Sequence, residues 1–148
     1  MSMQKIFISS DHAGVELRLL IKLYLEDLNY VVEDYGCITS NVTVDYPDYV
    51  QDVVQCVISD DSGVGILICG TGIGMSIVAN RYKKIRAALC YSTEIAKFAR
   101  EHNNANILCL GARYITYEEA KLIVHEFLNT KFSEGRHAQR VKKIDSYL

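Results

Sequence analysis

Residues 66–74 read ILICGTGIG: a short apolar run, Ile66 to Ile68, closes on Cys69, and Gly70, Gly72 and Gly74 then alternate with Thr71 and Ile73. With Gly65 before it, this run, Gly65–Cys69, reads as a buried strand. The glycines let the backbone approach a ligand closely. A helix start just beyond them favours an anion. Outward from this segment, Ile6–Ile8, Tyr30–Val32, Arg86–Cys90 and Ile107–Leu110 read as further strands. Between them, apolar residues recur with a helical period: Leu17, Leu20, Ile21, Tyr24, Leu25 and Leu28; Val50, Val53, Val54, Val57 and Ile58; Ala120, Ile123, Val124, Phe127 and Leu128. Five strands alternating with about six helices predict βαβ units, a parallel sheet and helices on both faces. Ligands of such sheets bind outside the carboxyl ends of the strands, where the strand order reverses. The single proline, Pro47, is expected to open the second helix.

The 148 residues fit a single domain spanning 1–148. Hydrophobic residues make up 49% and charged residues 23%, an ordinary globular mix. The net charge of −2 gives no basic surface for nucleic acid. No apolar run approaches the roughly 18 residues of a membrane span, and the apolar start is too short for a signal peptide. The five cysteines are odd in number and include no CxxC pair, which argues against a zinc site or a dithiol redox pair. Free thiols predict a cytoplasmic protein.

Polar residues gather around the predicted strands: Ser9 to Gly14 after the first, Asp45-Tyr46-Pro47 in the loop beyond the second, Cys69 to Gly74 after the third, Cys90 to Thr93 at the fourth. His102-Asn103 precede the fifth strand, and Gly111-Ala112-Arg113 follow it. The last helix carries Arg136, His137 and Arg140. The expectation is one site that collects all of them. Most admit an ordinary reading as well. Asp11 suits a helix N-cap, His102 suits a helix C-terminus, and Arg136 and Arg140, four apart, suit a solvated stripe. The glycine loop fits neither nucleotide motif well. In G-x-G-x-x-G the third glycine slot holds Met75, and no Walker lysine follows Gly74. Cys69 at the mouth of that loop suggests different chemistry, because N–H donors there stabilise an anionic sulfur and a developing oxyanion.

Taken together, IFISSDHAG, VDYPDY, GILICGTGIGMSIVANR, IRAALC, EHNNANILCLGAR and GRHAQRV resemble the ribose-5-phosphate isomerase B group, the RpiB/LacAB sugar-phosphate isomerases. The motifs run in the family's order from residue 6 to about 145. The resemblance implies a Rossmann-like three-layer α/β/α sandwich with an extra C-terminal helix, working as a homodimer or a dimer of dimers. It implies reversible conversion of D-ribose 5-phosphate to D-ribulose 5-phosphate in the non-oxidative pentose phosphate pathway, with no metal or organic cofactor. Cys69 matches the general base, His102 the group that opens the furanose ring, and Thr71 the hydroxyl that moves protons between sugar oxygens. Gly70, Gly72, Ile73 and Gly74 match the loop that holds the enediolate. Asp11, Tyr46 and Asn103 match sugar-binding positions; His12, Arg113, Arg136 and Arg140 match phosphate and sugar contacts. One branch of the family replaces the cysteine with a glutamate a few residues later. No carboxylate stands between Ile73 and Asn80, so the chain resembles the cysteine branch.

The resemblance and the chemistry of these residues together imply the steps of an aldose–ketose isomerase. The imidazole opens the sugar, the thiolate removes the C2 proton, loop amides hold the cis-enediolate, and the arginine forks hold the phosphate. Because the final helix lies far along the chain from the glycine loop, it is expected to reach across a two-fold interface. The alternatives are isomerisation of a six-carbon phosphate, allose 6-phosphate or galactose 6-phosphate, and a non-enzymatic sugar-phosphate sensor. The galactose 6-phosphate enzymes of the family split the catalytic positions between two different chains, whereas this chain carries both Cys69 and His102.

Overall fold

The computed structural model describes residues 3–147. Five strands, β1 (Lys5–Ser10), β2 (Val31–Asp34), β3 (Val64–Cys69), β4 (Ala87–Leu89) and β5 (Ile107–Gly111), form one sheet in the order β2-β1-β3-β5-β4. Every pairing is parallel. The six helices are α1 (Val15–Asp27), α2 (Gln51–Ser59), α3 (Ile73–Ala79), α4 (Thr93–Glu101), α5 (Tyr117–Asn129) and α6 (Arg136–Asp145).

The alternation along each central strand divides the core in two. Ile6, Ile8, Ile66, Ile68, Leu108 and Leu110 point to one face, where Ile21 and Leu25 of α1, Ala96 of α4 and Ile123 and Phe127 of α5 cover them. Phe7, Leu67, Cys69, Ile107 and Cys109 point to the other, under Val53, Val54 and Val57 of α2 and Met75 and Ala79 of α3. Both faces of β3 are therefore buried, and all six of its residues are apolar or glycine. The predicted sandwich is observed. α1 leaves β1 toward one face and α3 leaves β3 toward the other, so the strand order reverses between these neighbours and opens a crevice at their carboxyl ends.

Local boundaries differ from the sequence reading in understandable ways. β1 extends to Ser10 because Ser9 and Ser10 are still paired with Leu67 and Ile68. β4 shrinks to three residues at the sheet edge, where the Asn80 carboxamide takes over both backbone groups of Ala87, at 2.8 and 2.9 Å. Pro47 does not open α2. It sits in a separate 3-10 turn, Tyr46–Tyr49, whose missing N–H costs nothing at the start of a turn. Of α6 only Val141 is buried, and Asp145 ties the helix to Arg86 at 3.3 Å. Among the described residues no helix is long and apolar enough to cross a membrane.

Phe127, 1% exposed, closes the core between α4 and α5. Phe127→Ala is expected to lower unfolding free energy by about 3–5 kcal/mol, read from urea denaturation at fixed protein concentration.

Candidate active site

The crevice is lined first by the loop after β3. Cys69 is the last residue of the strand, 4% exposed, and its Sγ accepts the Gly72 N–H at 3.2 Å. Gly72 makes this possible by turning back at φ +78°, and a Cβ there would lie 2.5 Å from Leu89 Cδ1. Thr71 Oγ1 accepts the Ile73 N–H at 3.2 Å, which leaves its own O–H free to donate. The Tyr91 hydroxyl, at the end of β4, donates to the Thr71 carbonyl. Partial burial, and then Cys69 beside it, hold that phenol above its ordinary range, so it stays protonated. The loop is also sewn to the end of β5: Ala112 N–H donates to Cys69 O at 2.9 Å and Arg113 N–H to Gly70 O at 3.0 Å. The Arg113 guanidinium lies over Gly70, where an added Cβ would come within 2.9 Å of it.

The loop after β1 forms the opposite wall. Asp11, 6% exposed, accepts the Ala13 N–H at 2.9 Å and caps the 3-10 turn that opens α1. Its capping role is thus real, and its backbone lies beside the end of β3, where the Asp11 N–H donates to Ile68 O at 3.2 Å. His12 Nδ1 accepts the Val44 N–H at 3.2 Å, which puts the proton of the neutral ring on Nε2. Tyr46 closes the top, its ring so near Gly74 that a Cβ there would come within 2.5 Å.

His102, Asn103, Arg136 and Arg140 are not here. Strand polarity keeps these four apart from Cys69 within one chain. Cys69 pairs with Gly111 at the carboxyl end of the sheet, while His102 caps the C-terminus of α4 and precedes Ile107 at the amino end. The four steps from Ile107 to Gly111 alone span about 13 Å. A residue before a parallel strand lies at the opposite end from one after it. At that amino end a second cluster forms. The His102 ring stacks between Phe98, at 4.9 Å, and His137, at 4.3 Å. Arg136, His137 and Arg140 come from the first turns of α6, and Ser133 N–H donates to Glu101 O at 3.0 Å to hold the approach. Desolvation, then His102, Arg136 and Arg140, push the His137 imidazole below its ordinary value against a weaker pull from Glu101. Among the described residues no ion pair engages Arg113, Arg136 or Arg140.

Tyr91 and His137 stood among the polar residues gathered near the strands, but neither was given a role at the site. The polar end of the fourth strand and the GRH triplet were the signals that could have found them. Cys90 and Cys109 are buried in the core. Burial pushes Cys90 up to about 12 and Cys109 higher still. No group of three or more His, Cys, Asp or Glu residues among the described residues is placed to hold a metal ion.

Comparison with known proteins supplies the family. The chain is 41% identical over 142 residues to ribose-5-phosphate isomerase B of Escherichia coli, covering 96% of this chain and 95% of that protein. Among solved structures, ribose 5-phosphate isomerase B from Anaplasma phagocytophilum superposes with a TM-score of 0.92 at 57% identity, covering 97% of this chain and 98% of the other. The Mycoplasma genitalium enzyme with bound ribulose-5-phosphate gives 0.95 at 42% identity, covering 99% and 97%. The family model described as Ribose/Galactose Isomerase matches residues 6–144, so the chain belongs to the ribose/galactose isomerase family, the group of ribose-5-phosphate isomerase B.

Proposed function

We propose that the protein interconverts D-ribose 5-phosphate and D-ribulose 5-phosphate through a cis-enediolate, in active sites each assembled from two copies of the chain. The observation that carries the reading is the Gly72 N–H aimed at Cys69 Sγ at the floor of the crevice. A donor in that place favours an anionic sulfur, the form that can take a proton.

One copy supplies Cys69, Thr71, the Gly70–Gly74 loop, Asp11, His12, Tyr46 and Arg113. The other supplies His102, Asn103, Arg136 and Arg140. A two-fold axis that brings one copy's amino-end cluster over the other's crevice does so twice, because such an interface is self-complementary. The nearly unpacked α6, with Ile144 44% exposed, supports a helix whose partner is another chain. His102 exchanges a proton with the ring oxygen and opens the furanose. Cys69 removes the C2 proton, and the electron pair moves to the carbonyl oxygen. The free Thr71 O–H shifts a proton between O1 and O2, loop amides hold the negative oxygen, and the thiol returns a proton to C1. Asp11 and Asn103 orient hydroxyls. Arg136 and Arg140, one turn apart on α6, present two forks to the phosphate, whose binding energy positions the reacting carbons. Five free cysteines support a cytoplasmic setting for the reaction, within the non-oxidative pentose phosphate pathway.

Cys69→Ala is expected to cut ribulose 5-phosphate formation by about a thousandfold or more and to abolish deuterium uptake at C2 in deuterated water; exchange at the wild-type rate would overturn the reading. Equal mixing of Cys69→Ala and His102→Ala subunits after reversible dissociation should restore activity. Half the dimers are then mixed and each has one intact site, giving about a quarter of wild type; sites formed within one chain would give no recovery. Arg136→Ala with Arg140→Ala should raise KM for ribose 5-phosphate by about tenfold or more while leaving turnover of unphosphorylated ribose unchanged.

A further inference from the structure

The buried guanidinium of Arg18 takes no part in the chemistry above. We propose that Arg18 is a positioning residue for the sugar pocket: it clamps the segment after β2 to the carboxyl end of β1, and so fixes the wall that His12 and Tyr46 present to the substrate. The proposal rests on the isomerase reading of that pocket.

Arg18 projects from α1 with its side chain 4% exposed, and each edge of its fork has an acceptor. Nε lies 3.1 Å from Asp34 Oδ1 and 3.3 Å from Oδ2, at the end of β2. Nη2 donates to the Cys37 carbonyl at 2.7 Å, and Nη1 donates to Ser10 Oγ. Asp34 in turn accepts the Gly36 N–H at 2.9 Å and lies 3.7 Å from Lys22 Nζ. Gly36 rests on the guanidinium so closely that any side chain there would overlap it. The backbone follows β1 alongside: Tyr35 N–H donates to Ile8 O at 2.8 Å and Cys37 N–H to Ser10 O at 3.0 Å. The clamp therefore ends one residue before Asp11.

Beyond it the segment runs nearly free. Among the described residues, 38–43 are tied beyond their own stretch only through Thr39 O, which accepts from Cys37 Sγ at 3.2 Å, and Ile38 is 94% exposed. The next tether is the Val44 N–H on His12 Nδ1, two residues before Tyr46. The path that places His12 and Tyr46 is thus held at one end by Arg18 and at the other by the pocket itself. A planar fork satisfies three acceptors from three elements at once, which an apolar residue cannot do and an ammonium does with poorer geometry. Removing it leaves the Cys37 carbonyl and Ser10 hydroxyl unpaired and Asp34 with only Lys22 and the Gly36 N–H. The released wall loosens sugar binding, while Cys69 keeps its own donor from Gly72 in the loop after β3.

Steady-state kinetics of Arg18→Met, Arg18→Lys and Asp34→Asn, with hydrogen exchange of the sugar-free proteins, tests this. KM for ribose 5-phosphate should rise about tenfold in Arg18→Met and Asp34→Asn with kcat within about threefold, and Arg18→Lys should recover part of the loss. Exchange across residues 36–46 should accelerate while the 69–74 loop keeps its wild-type rate. A lower melting temperature with KM and 36–46 exchange unchanged in the folded variants would overturn the proposal. Exchange is read without sugar, so it judges the clamp even if the wild-type protein fails to turn over ribose 5-phosphate, a result that would sink only the isomerase reading.

Discussion

The polarity of the parallel sheet is the constraint on which everything else depends. Each strand has a carboxyl end, where loops carry ligand-facing groups, and an amino end, to which the covering helices return. Here the chain puts candidate site residues at both. Cys69 and Asp11 follow their strands; His102 precedes β5 and stacks on a helix that begins beyond α5. The full length of the sheet keeps the two clusters apart within one molecule. The isomerase reading therefore needs a second copy, and the α6 face that one chain leaves uncovered fits that need.

Within the crevice the order comes from backbone rather than from side chains. The left-handed turn at Gly72 brings an N–H onto the sulfur, Thr71 spends its lone pair on Ile73 and keeps its proton, and Tyr91 pins the Thr71 carbonyl. β5 braces the loop from the other side through Ala112 and Arg113. In the proposed reading Arg18 acts at one remove, on the wall facing this loop, so Cys69 and the shape of the proposed sugar pocket are held by different elements.

Much of this was legible in the residues. Continuous apolar runs gave β3 and β5 nearly to the residue, because both faces of a central parallel strand are buried and no polar residue interrupts the pattern. The helical stripes of α1, α2 and α5 were equally plain. Edge strands were harder. β4 is paired on one side only, and its outer backbone is met by Asn80, a side-chain contact that periodicity cannot show. The resemblance proposed site residues but not which copy would supply each: Cys69 and His102 read as partners in function, and strand polarity sets them at opposite ends of the sheet. Arg18 was invisible for another reason. An arginine at a helix position reads as solvent-facing, and only the three acceptors that converge on it from β1, β2 and the following loop explain its burial.

A crystal structure with ribulose 5-phosphate bound would test the central claim most directly. The account predicts Cys69 Sγ within about 3.5 Å of the first or second sugar carbon, with the phosphate against the partner subunit's Arg136 and Arg140. A sugar bound away from the sulfur, or one enclosed by Cys69 and His102 of the same chain, would contradict it.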